Sequence, residues 1–395
     1  MKILISGAGI AGPTLAYWLL HYGFEPTIVE TAPRPRTGGY IIDFWGAGFE
    51  IADRMGLLPE IRNKGYMVRE VSVRNRNGKS VAGFPAEAFS RMTHGRYVSL
   101  PRGELAASIF GSIDEKVESI FGDSVSQIEQ TGNGVHVVFE SGNKRNFDLV
   151  VGADGLHSRV RELVFGAESR FEKYLGYKAA AFSVKGYRPR EELAYVMYTQ
   201  VGQQVARFAM RDDRTMFLFT FADENPRSPG DVQSQKALLR ERFEAGGWEC
   251  GQILAALDRA DDFYFDRVSQ IRMDPREGLW TRGRVTLIGD AASCVSLLAG
   301  QGTALAMVAA YILAGELSRC GGDYAAAFCH YQELFGPFVL TKQKAALRFA
   351  GSFAPKSEFS LFIRNQLFKL MAIRWIADLA VGRDLADHIA LPAYQ

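Results

Sequence analysis

The stretch KILISGAGIAGPTLAYWLLHYGFEPTIVE (residues 2–30) opens with a short strand-like run, and a glycine-rich turn follows it. Apolar residues then recur at helical spacing before a second strand-like run. Gly7 permits a tight turn, Gly9 lets the main chain approach a pyrophosphate, and Gly12 lets the helix pack against the strand. The helix N-terminus offers unpaired N–H groups to phosphates. Glu30 follows at roughly 20 residues, where a carboxylate accepts hydrogen bonds from a ribose diol.

Strand, turn, helix and acid occur here in the order and spacing of a dinucleotide-binding crevice. We therefore favour an adenine dinucleotide site over a purely structural turn. The carboxylate of Glu30 further favours FAD or NAD over NADP, because it would repel the extra phosphate of NADP.

Two later segments repeat this architecture of buried strand, small-residue turn and helix. They are FDLVVGADGLHSRVRELVF (residues 147–165) and RVTLIGDAASCVSLLAGQGTALAM (residues 284–307). Each carries one aspartate at the turn, Asp154 in the first and Asp290 in the second. Both aspartates have two interpretations, contact with a ligand or simple capping of the following helix, a role for which Asp is strongly preferred.

Taken together, the three segments resemble the three fingerprints of the single-component FAD-dependent monooxygenases. This is the p-hydroxybenzoate hydroxylase-like group, which includes aromatic hydroxylases and tetracycline destructases. The resemblance covers roughly residues 1 to 340. It includes LPRGELAASI (residues 100–109), where Arg102 matches the family's arginine at the start of a helix beside the flavin. A second, nicotinamide-type GxGxxG, expected in disulfide-reductase-like flavoenzymes, is absent from the sequence.

The resemblance implies FAD as the resident cofactor and NAD(P)H as a transient co-substrate without a domain of its own. It implies that Gly7, Gly9 and Gly12 contact the pyrophosphate of FAD, that Glu30 contacts the adenosine ribose, and that Arg102 contacts the ribityl or phosphate region. It also implies that Asp290 contacts the ribityl hydroxyls, and that the isoalloxazine lies at Gly300, Gln301 and Gly302. Asp154 and Gly155 are implied to serve both FAD and NAD(P)H. The predicted cofactor-binding set is completed by Ile10, Ala11 and Gly289.

The implied activity is the oxygenation of a planar aromatic or polyketide-like small molecule, such as a tetracycline antibiotic, with NAD(P)H and O₂. A flavin C4a-hydroperoxide would transfer the oxygen. Because the flavin supplies this chemistry, we assign no side chain as general base, and the catalytic residues stay unknown. Two alternatives are open: a dehydrogenase, reductase or oxidase on the same fold without oxygen transfer, and a carrier that has lost turnover.

The predicted fold class is α/β, with a Rossmann-like FAD-binding domain interwoven with a β-sheet substrate domain. We assign residues 1–75, 100–175 and 268–340 to the first, residues 76–99 and 176–267 to the second, and residues 341–395 to C-terminal helices. Since the family places its substrate beneath such a sheet, we expect substrate contacts from Phe208, Met210, Phe217 and Phe219, and from Leu297 beside the flavin. Plain core packing is the alternative for the aromatic residues.

The C-terminal stretch EFSLFIRNQLFKLMAIRWIADLA (residues 358–380) carries an apolar face beside basic residues. Three interpretations compete: packing against the FAD-binding domain, which we favour, a cap over the substrate pocket, and a helix lying on a membrane surface.

Composition narrows the classes of partner. Apolar residues make up 47% and charged residues 23% of the chain, and the net charge of +2 gives no reason to expect nucleic acid. The cysteines show no CxxC spacing and the histidines are scattered, which argues against a metal. No apolar run reaches about 18 residues, and the first is too short for a signal peptide or membrane span. We expect a cytoplasmic monomer or homodimer whose partners are a small-molecule substrate and O₂.

Three positions near the third fingerprint depart from the family pattern. Members commonly carry an aromatic residue or His where this chain has Ser293, Pro where it has Leu297, and Asn where it has Ala304. The Pro position lies by the reactive edge of the flavin and the Asn position near its pyrimidine end. We therefore expect FAD binding to be retained and the coupling of flavin reduction to oxygenation to be weakened.

Overall fold

The computed structural model describes residues 1–35, 38–86, 90–91, 93, 95–274, 279–371 and 389–394, with the main chain alone for 348–353. The strands are β1 (Lys2–Ser6), β2 (Glu25–Glu30), β3 (Ile41–Trp45), β4 (Glu70–Arg74), β5 (Ser80–Pro85), β6 (Tyr97–Pro101), β7 (Glu118–Phe121), β8 (Val125–Gln130), β9 (Val135–Phe139), β10 (Lys144–Phe147), β11 (Leu149–Gly152), β12 (Glu172–Lys185), β13 (Ala194–Gln200), β14 (Gln203–Ala209), β15 (Arg214–Ala222), β16 (Asp262–Ile271), β17 (Thr281–Arg282) and β18 (Val285–Leu287). The helices are α1 (Ala11–His21), α2 (Ala47–Arg54), α3 (Leu58–Lys64), α4 (Arg102–Gly111), α5 (Arg159–Phe165), α6 (Val232–Phe243), α7 (Cys250–Ala256), α8 (Asp290–Ser293), α9 (Gly302–Arg319), α10 (Tyr324–Phe353) and α11 (Glu358–Leu370).

A six-stranded sheet in the order β17-β18-β11-β1-β2-β7 lies in the larger hydrophobic core. Its central strand, β1, pairs in parallel with β11 on one side and with β2 on the other. Residues Ile3 to Ser6 are buried, as expected for a central parallel strand with an unbroken apolar run. Open α/β sheets bind ligands beyond the carboxyl ends of the strands, where the strand order reverses. Here that point lies beyond Ser6 of β1 and Gly152 of β11.

Helices α1 and α9 pack against each other in the same core. Leu15 and Leu19 of α1 and Val308 and Ile312 of α9 are fully buried. Two smaller sheets complete this part of the molecule, a three-stranded one (β10-β9-β8) and the antiparallel pair β3-β6. The predicted α/β fold class is confirmed.

A second large sheet has seven strands in the order β16-β12-β15-β14-β13-β4-β5. Neighbouring strands run antiparallel except β13 and β4, which are parallel. Strands β12 to β16, which cover most of the substrate domain predicted over residues 176–267, all belong to it. Strand β4 also belongs to it, although it precedes the domain boundary that we placed after residue 75. The sheet therefore takes in more of the N-terminal chain than the sequence indicated.

The two faces of the seven-stranded sheet have different neighbours. On one face Phe217, Phe219 and Phe221 pack beneath α6 and α7, and the ring of Phe219 meets that of Phe243 at 4.9 Å. On the other face Phe208 packs in a cluster that includes residues of β3. The second face is therefore the one turned towards the six-stranded part of the molecule.

Helix α11 lies on the seven-stranded sheet. The ring of Phe368 meets that of Phe84 of β5 at 5.3 Å, and Arg364 Nη1 donates to Thr199 Oγ1 of β13 at 3.0 Å. The interpretation that we favoured, packing against the FAD-binding domain, is therefore wrong for α11. Residues 372–388 of the predicted C-terminal segment lie outside the described residues.

The end of the chain returns to the six-stranded part. Tyr394 Oη donates to Glu316 Oε1 of α9 at 2.7 Å, and its ring lies against Gly315, where an added Cβ would be 2.1 Å from Tyr394 Cδ2. Within the described ranges, every helix is too short or too polar to traverse a lipid bilayer.

Candidate cofactor site and active site

The turn after β1 is shaped by contacts that leave no room for a side chain at two of its glycines. Gly7 has a φ of +110°, and a Cβ there would lie 2.5 Å from the carbonyl oxygen of Ala153. A Cβ on Gly12 would lie 1.9 Å from the carbonyl oxygen of Gly7. At Gly9 the nearest atom to an added Cβ is Arg102 Nη2, at 3.7 Å. The turn is therefore tightly packed at Gly7 and Gly12, whereas at Gly9 no side chain covers the main chain where it meets the cavity.

Helix α1 begins beyond this turn without a side-chain cap. The N-cap residue, Ile10, makes no capping hydrogen bond through its side chain, and both Ile10 and Ala11 line the cavity. The first N–H groups of a helix have no intrahelical partner, and the helix dipole is positive at this end. This end of the cavity therefore fits an anionic group such as a pyrophosphate.

Glu30, at the end of β2, is held by the same turn. Its Oε2 accepts the N–H of Ala8 at 2.8 Å, and its Oε1 accepts the N–H of Ala32 at 2.9 Å. Each carboxylate oxygen has further lone pairs. Because Glu30 also lines the cavity, it can accept ribose hydroxyls while it holds the turn in place.

Asp154 lines the cavity and supports the start of helix α5, whose N-cap residue is Ser158. Its Oδ1 accepts the hydroxyl of Ser158, and its Oδ2 accepts the N–H of Val160 at 3.0 Å. Burial raises the pKa of Asp154, and these hydrogen bonds oppose the rise. A Cβ added to the neighbouring Gly155 would meet nothing within 4 Å, so the main chain is bare there. Support of the following helix, which the sequence left open, is thus present in the structure.

Asp290 begins α8 in the interior of the cavity, which Arg102 at the start of α4 also lines. Burial raises the pKa of the Asp290 carboxyl, and the positive charge of Arg102 opposes that rise. Gly289 precedes it with a φ of +59°, and a Cβ there would come within 3.0 Å of Ala11 Cβ. The turn into α8 therefore lies directly against α1.

The turn before α9 exposes bare main chain to the cavity. Gly300 has a φ of +65°, and a Cβ added to it would meet nothing within 4 Å. At Gly302 the nearest atom to an added Cβ is Asp290 Oδ1, at 3.6 Å. A flat ring can therefore approach the main chain closely beside a carboxylate.

One cavity of about 300 Å³ joins these segments. The predicted site residues that line it are Gly7, Gly9, Ile10, Ala11, Glu30, Arg102, Asp154, Gly155, Asp290, Leu297, Gly300 and Gly302. Gly12 and Gly289 support its wall through close packing. Gln301 lies in an adjoining crevice, together with Asp43 and Trp45. An uncapped helix start, bare glycines and flanking polar groups along one cavity fit an adenine dinucleotide with a flat ring, as in FAD.

The sequence did not single out two tyrosines that line the cavity. Tyr40 precedes β3 and Tyr264 lies in β16, and their rings are 5.6 Å apart. Burial raises the pKa of Tyr40 to about 12, so that its phenol keeps its proton at neutral pH. Because these residues are distant in sequence, no local pattern could have linked them.

His157 also lines the cavity and was missed, although it lies only two residues after Gly155. Its Nε2 lies 3.2 Å from Asp266 Oδ2 of β16, and its Nδ1 lies 3.0 Å from Glu168 Oε1. Hydrogen bonds to Asp266 and to Glu168 raise the pKa of His157 to about 10. The imidazolium therefore connects the start of α5 to the seven-stranded sheet.

Most of the predicted substrate residues lie away from the cavity. Phe217 and Phe219 face α6 and α7, on the side of the sheet away from the cavity. Phe208 lies on the other face but is fully buried between Tyr66 and Tyr195. Met210 lines a separate surface pocket that includes Tyr66 and Arg211. Of the predicted substrate residues only Leu297 lines the cavity. Core packing, the alternative for the aromatic residues, holds for Phe208, Phe217 and Phe219.

Fold and site together define a flavin-binding protein of the α/β class, and comparison with known proteins agrees. A family model described as an FAD binding domain matches residues 1–322. A flavin-dependent monooxygenase of Legionella longbeachae is 32% identical over 398 residues, which cover 100% of this chain and 98% of that protein. Another flavin-dependent monooxygenase, from an unknown prokaryotic organism, is 34% identical over 397 residues, which cover 100% of this chain and 99% of that protein.

Among solved structures, tetracycline destructase Tet(55) matches with a TM-score of 0.84 and 33% identity over 100% of this chain and 98% of that one. Tetracycline destructase Tet(51) matches with a TM-score of 0.83 and 32% identity over 100% of this chain and 99% of that one. The chain belongs to the FAD-binding family of p-hydroxybenzoate hydroxylase-like flavoproteins. Within it, this protein is an FAD-dependent monooxygenase.

Proposed function

We propose that this enzyme uses NAD(P)H and O₂ to insert one oxygen atom into a planar aromatic or polyketide-like small molecule. One observation carries the proposal: the uncapped start of α1, the Asp290 carboxylate and the bare turn at Gly300 and Gly302 line a single cavity. These three features together suit a dinucleotide that has phosphates at one end and a redox ring at the other.

The residues of the cavity divide the binding of FAD among them. The N–H groups at the start of α1 hold the pyrophosphate, and Glu30 holds the adenosine ribose. Asp290 accepts hydrogen bonds from the ribityl chain, and Arg102 balances the charge of the phosphates. When bound, FAD supplies the redox and oxygen-transfer chemistry.

The beginning of α9 contributes electrostatics at the ring. Its first turn has no side-chain cap from Gln301, so the positive end of its dipole is directed at the ring site. Negative charge that develops on the ring is stabilised there without rearrangement of the protein. Tyr264 of the seven-stranded sheet also lines the cavity.

A tetracycline is the first substrate to test. Two solved structures that cover this chain almost completely are tetracycline destructases, with 32% and 33% identity. The scaffold alone does not select a substrate, so other planar phenols and heteroaromatic molecules belong in the same screen.

The test is anaerobic reduction of the FAD-loaded enzyme by NADH and by NADPH, with and without tetracycline and an aromatic library. Reactions are then mixed with isotopically labelled O₂ and analysed by mass spectrometry. We expect at least one ligand to accelerate flavin reduction and to acquire one labelled oxygen atom. Stoichiometric hydrogen peroxide with every ligand, and no labelled product, would instead show an oxidase or reductase on this fold.

A pair of aspartate variants tests the assignment of the cavity. Asp290→Ala removes a carboxylate that lines it, whereas Asp53→Ala removes an exposed carboxylate at the end of α2. We expect the first variant to lose FAD on gel filtration and the second to retain it. Equal FAD retention in both would contradict the role proposed for Asp290.

A further inference from the structure

Three side chains that commonly bind metals, those of Glu316, Cys320 and His330, converge where α9 packs against α10. Glu316 lies in the last turn of α9, and its carbonyl accepts the N–H of Cys320 at 2.9 Å. Residues four apart on a helical turn share a face. His330 belongs to α10. One carboxylate oxygen, the thiol sulfur and one ring nitrogen therefore lie within 4.8 Å of one another.

Two distances in this cluster match those that a tetrahedral zinc ion imposes on its ligands. His330 Nδ1 lies 3.6 Å from Cys320 Sγ and 3.2 Å from Glu316 Oε2. Zinc binds nitrogen at about 2.0–2.1 Å, sulfur at about 2.3 Å and carboxylate oxygen at about 2.0–2.2 Å. At a tetrahedral angle these lengths place nitrogen about 3.5–3.6 Å from sulfur and about 3.3–3.5 Å from oxygen. The ligand atoms thus have nearly the spacing of a zinc site.

Hydrogen bonding alone does not account for the position of His330 Nδ1. This nitrogen lies 3.2 Å from Arg319 Nη2, which only donates, and 3.2 Å from the carboxylate of Glu316, which only accepts. A ring nitrogen offers either one N–H or one lone pair. Whichever it offers, one of these two neighbours receives no hydrogen bond from it. A cation bound by the lone pairs of nitrogen, sulfur and oxygen removes this conflict.

The carboxylate of Glu316 lies where a positive charge is stabilised. Its side chain is fully buried, and the last turn of a helix carries the negative end of the dipole. Its Oε1 accepts the hydroxyl of Tyr394 at 2.7 Å, and its Oε2 pairs with Arg319 at 2.6 Å. The side chain of Arg319 is 53% exposed. A divalent ion at Oε2 would therefore replace Arg319, which can turn to solvent.

The charges balance once a divalent ion is bound. Burial and the charge of Glu316 raise the pKa of the Cys320 thiol, which therefore keeps its proton until a metal displaces it to solvent. One carboxylate and one thiolate then neutralise the two charges of the ion, so that the buried site no longer needs Arg319. Asp323, between the two helices, adds negative potential at Cys320.

We propose that Glu316, Cys320 and His330 bind a zinc-type divalent ion through Oε2, Sγ and Nδ1, with water as the fourth ligand. Thiolate and imidazole together favour zinc over Mg²⁺ and Ca²⁺, which prefer oxygen. No CxxC or paired-histidine spacing predicts this site, because each ligand is of a different kind and His330 comes from the next helix.

The proposed ion lies far from the cofactor cavity. Gly302, which lines that cavity, begins α9, and Glu316 follows fourteen residues later on the same helix. At a rise of 1.5 Å per residue the two are about 20 Å apart. The ion therefore takes no part in the chemistry of the flavin. It stabilises the packing of α9 on α10 and, through Glu316, the end of the chain at Tyr394.

The test treats the FAD-loaded enzyme with a chelator, removes the chelator and titrates Zn²⁺ in competition with a chromophoric zinc indicator. We expect one ion per chain with a Kd in the micromolar range or below. Cys320→Ser and His330→Gln should each weaken binding at least about tenfold, since even the outer partners of metal ligands contribute that much. Cys329→Ser and His136→Gln, exposed residues of the same types, are the controls and should bind Zn²⁺ normally.

Three further readouts distinguish metal coordination from a cluster of ion pairs. Co²⁺ should give a near-ultraviolet thiolate-to-metal absorption band in the wild-type enzyme and in Cys329→Ser, but not in Cys320→Ser. Arg319→Ala removes the competing cation and should tighten Zn²⁺ binding by up to about fivefold, the equivalent of an exposed ion pair. Zn²⁺ should raise the melting temperature of the wild-type enzyme and not that of Cys320→Ser, because it binds the folded state.

Absence of saturable one-to-one Zn²⁺ binding by the wild-type enzyme would overturn the inference, as would an unchanged Kd or a persistent cobalt band in Cys320→Ser. Should Cys320→Ser fail to fold, an unchanged Kd in His330→Gln is the refuting result and a weakened one the supporting result. Weaker Zn²⁺ binding by Arg319→Ala would contradict the exchange of cations at Glu316 and overturn the site as described. None of these readouts depends on flavin reduction, so they are independent of the proposed function.

Discussion

The N–H of Ala8 donates a hydrogen bond to Glu30 at 2.8 Å and so joins the glycine-rich turn after β1 to the end of β2. A second main-chain N–H, that of Ala32, binds the other oxygen of the same carboxylate at 2.9 Å. Glu30 therefore orders the turn and faces the proposed ribose position with one side chain. Substitution of Glu30 should therefore weaken cofactor binding both by loosening the turn and by removing the hydrogen-bond acceptor for the ribose.

Glu30→Ala should raise the Kd for FAD about 10- to 100-fold, since a hydrogen bond to a charged group contributes about 1.5–3 kcal/mol. Quenching of FAD fluorescence during a titration measures this change. Glu25→Ala, an exposed position at the start of β2, is the control and should bind FAD normally. An unchanged Kd in Glu30→Ala would show that the carboxylate has neither role.

Gly12→Ala should abolish FAD binding and lower the melting temperature, because its Cβ would lie 1.9 Å from the carbonyl oxygen of Gly7. Gly251→Ala is the matched control, since a Cβ at that position in α7 meets nothing within 4 Å. The control should be neutral or stabilised by up to about 1 kcal/mol, because alanine favours a helix over glycine. Calorimetric melting of both variants measures the contrast, and equal behaviour would refute the packing argument.

His157→Gln should make the enzyme less stable, with a deficit that depends on pH. Two carboxylates raise the pKa of His157 in the folded state from 6.5 to about 10. A raised pKa stabilises the folded state fully below pH 6.5, and this contribution declines between pH 6.5 and about 10. Urea unfolding across that range should show the wild-type and variant curves converging as the pH rises. His21→Gln, which removes an exposed histidine of α1, should show no such convergence.

Phe219→Leu should lower the free energy of unfolding by about 1–2 kcal/mol, because the fully buried ring leaves a cavity among α6, α7 and β15. Ligand affinity should not change, since this residue lies on the face of the sheet away from the cavity. Denaturant unfolding and ligand titration measure the two quantities separately. Weaker ligand binding at unaltered stability would restore the pocket role that the sequence suggested.

Leu297→Pro should reduce the hydrogen peroxide released for each NAD(P)H oxidised, if a proline wall directs the reaction better than leucine. The turn Leu297–Ala299 begins at this residue, and proline is well tolerated in the first position of a helical turn. Ala304→Asn tests the second departure. Ala304 packs against Gly48, where an added Cβ would lie 2.5 Å from Ala304 Cα, and it also lines the crevice beside Asp43. Unchanged peroxide release in both variants would show that these positions are neutral to coupling.

Much of the cofactor site could be predicted because its elements are local. A strand, a glycine turn and a helix adjoin one another in sequence, and the steric demand at Gly12 comes from Gly7 of the same turn. The demand at Gly7 comes from Ala153, which is distant in sequence. The resemblance then assigned all three fingerprints to one FAD site. The parallel pairing of β11 with β1 and with β18 places their turns at one edge of the sheet.

The substrate side could not be predicted in the same way. Alternation showed correctly that Phe217 and Phe219 share a face, but it carries no information about which face meets the cavity. The answer depends on where α6, α7 and the six-stranded part pack. The aromatic residues would be buried whichever of these covered their face of the sheet. Tyr40 and Tyr264 likewise come together only because strands distant in the chain lie side by side.

The residue pattern therefore carries the fold class and the cofactor, since these follow from short-range periodicity and sterics. The orientation of the seven-stranded sheet, the place of α11 on it and the contact between Tyr40 and Tyr264 depend on long-range packing. Many sequences with the same local pattern would satisfy such packing in different ways, because the hydrophobic effect rewards burial without specifying the neighbour.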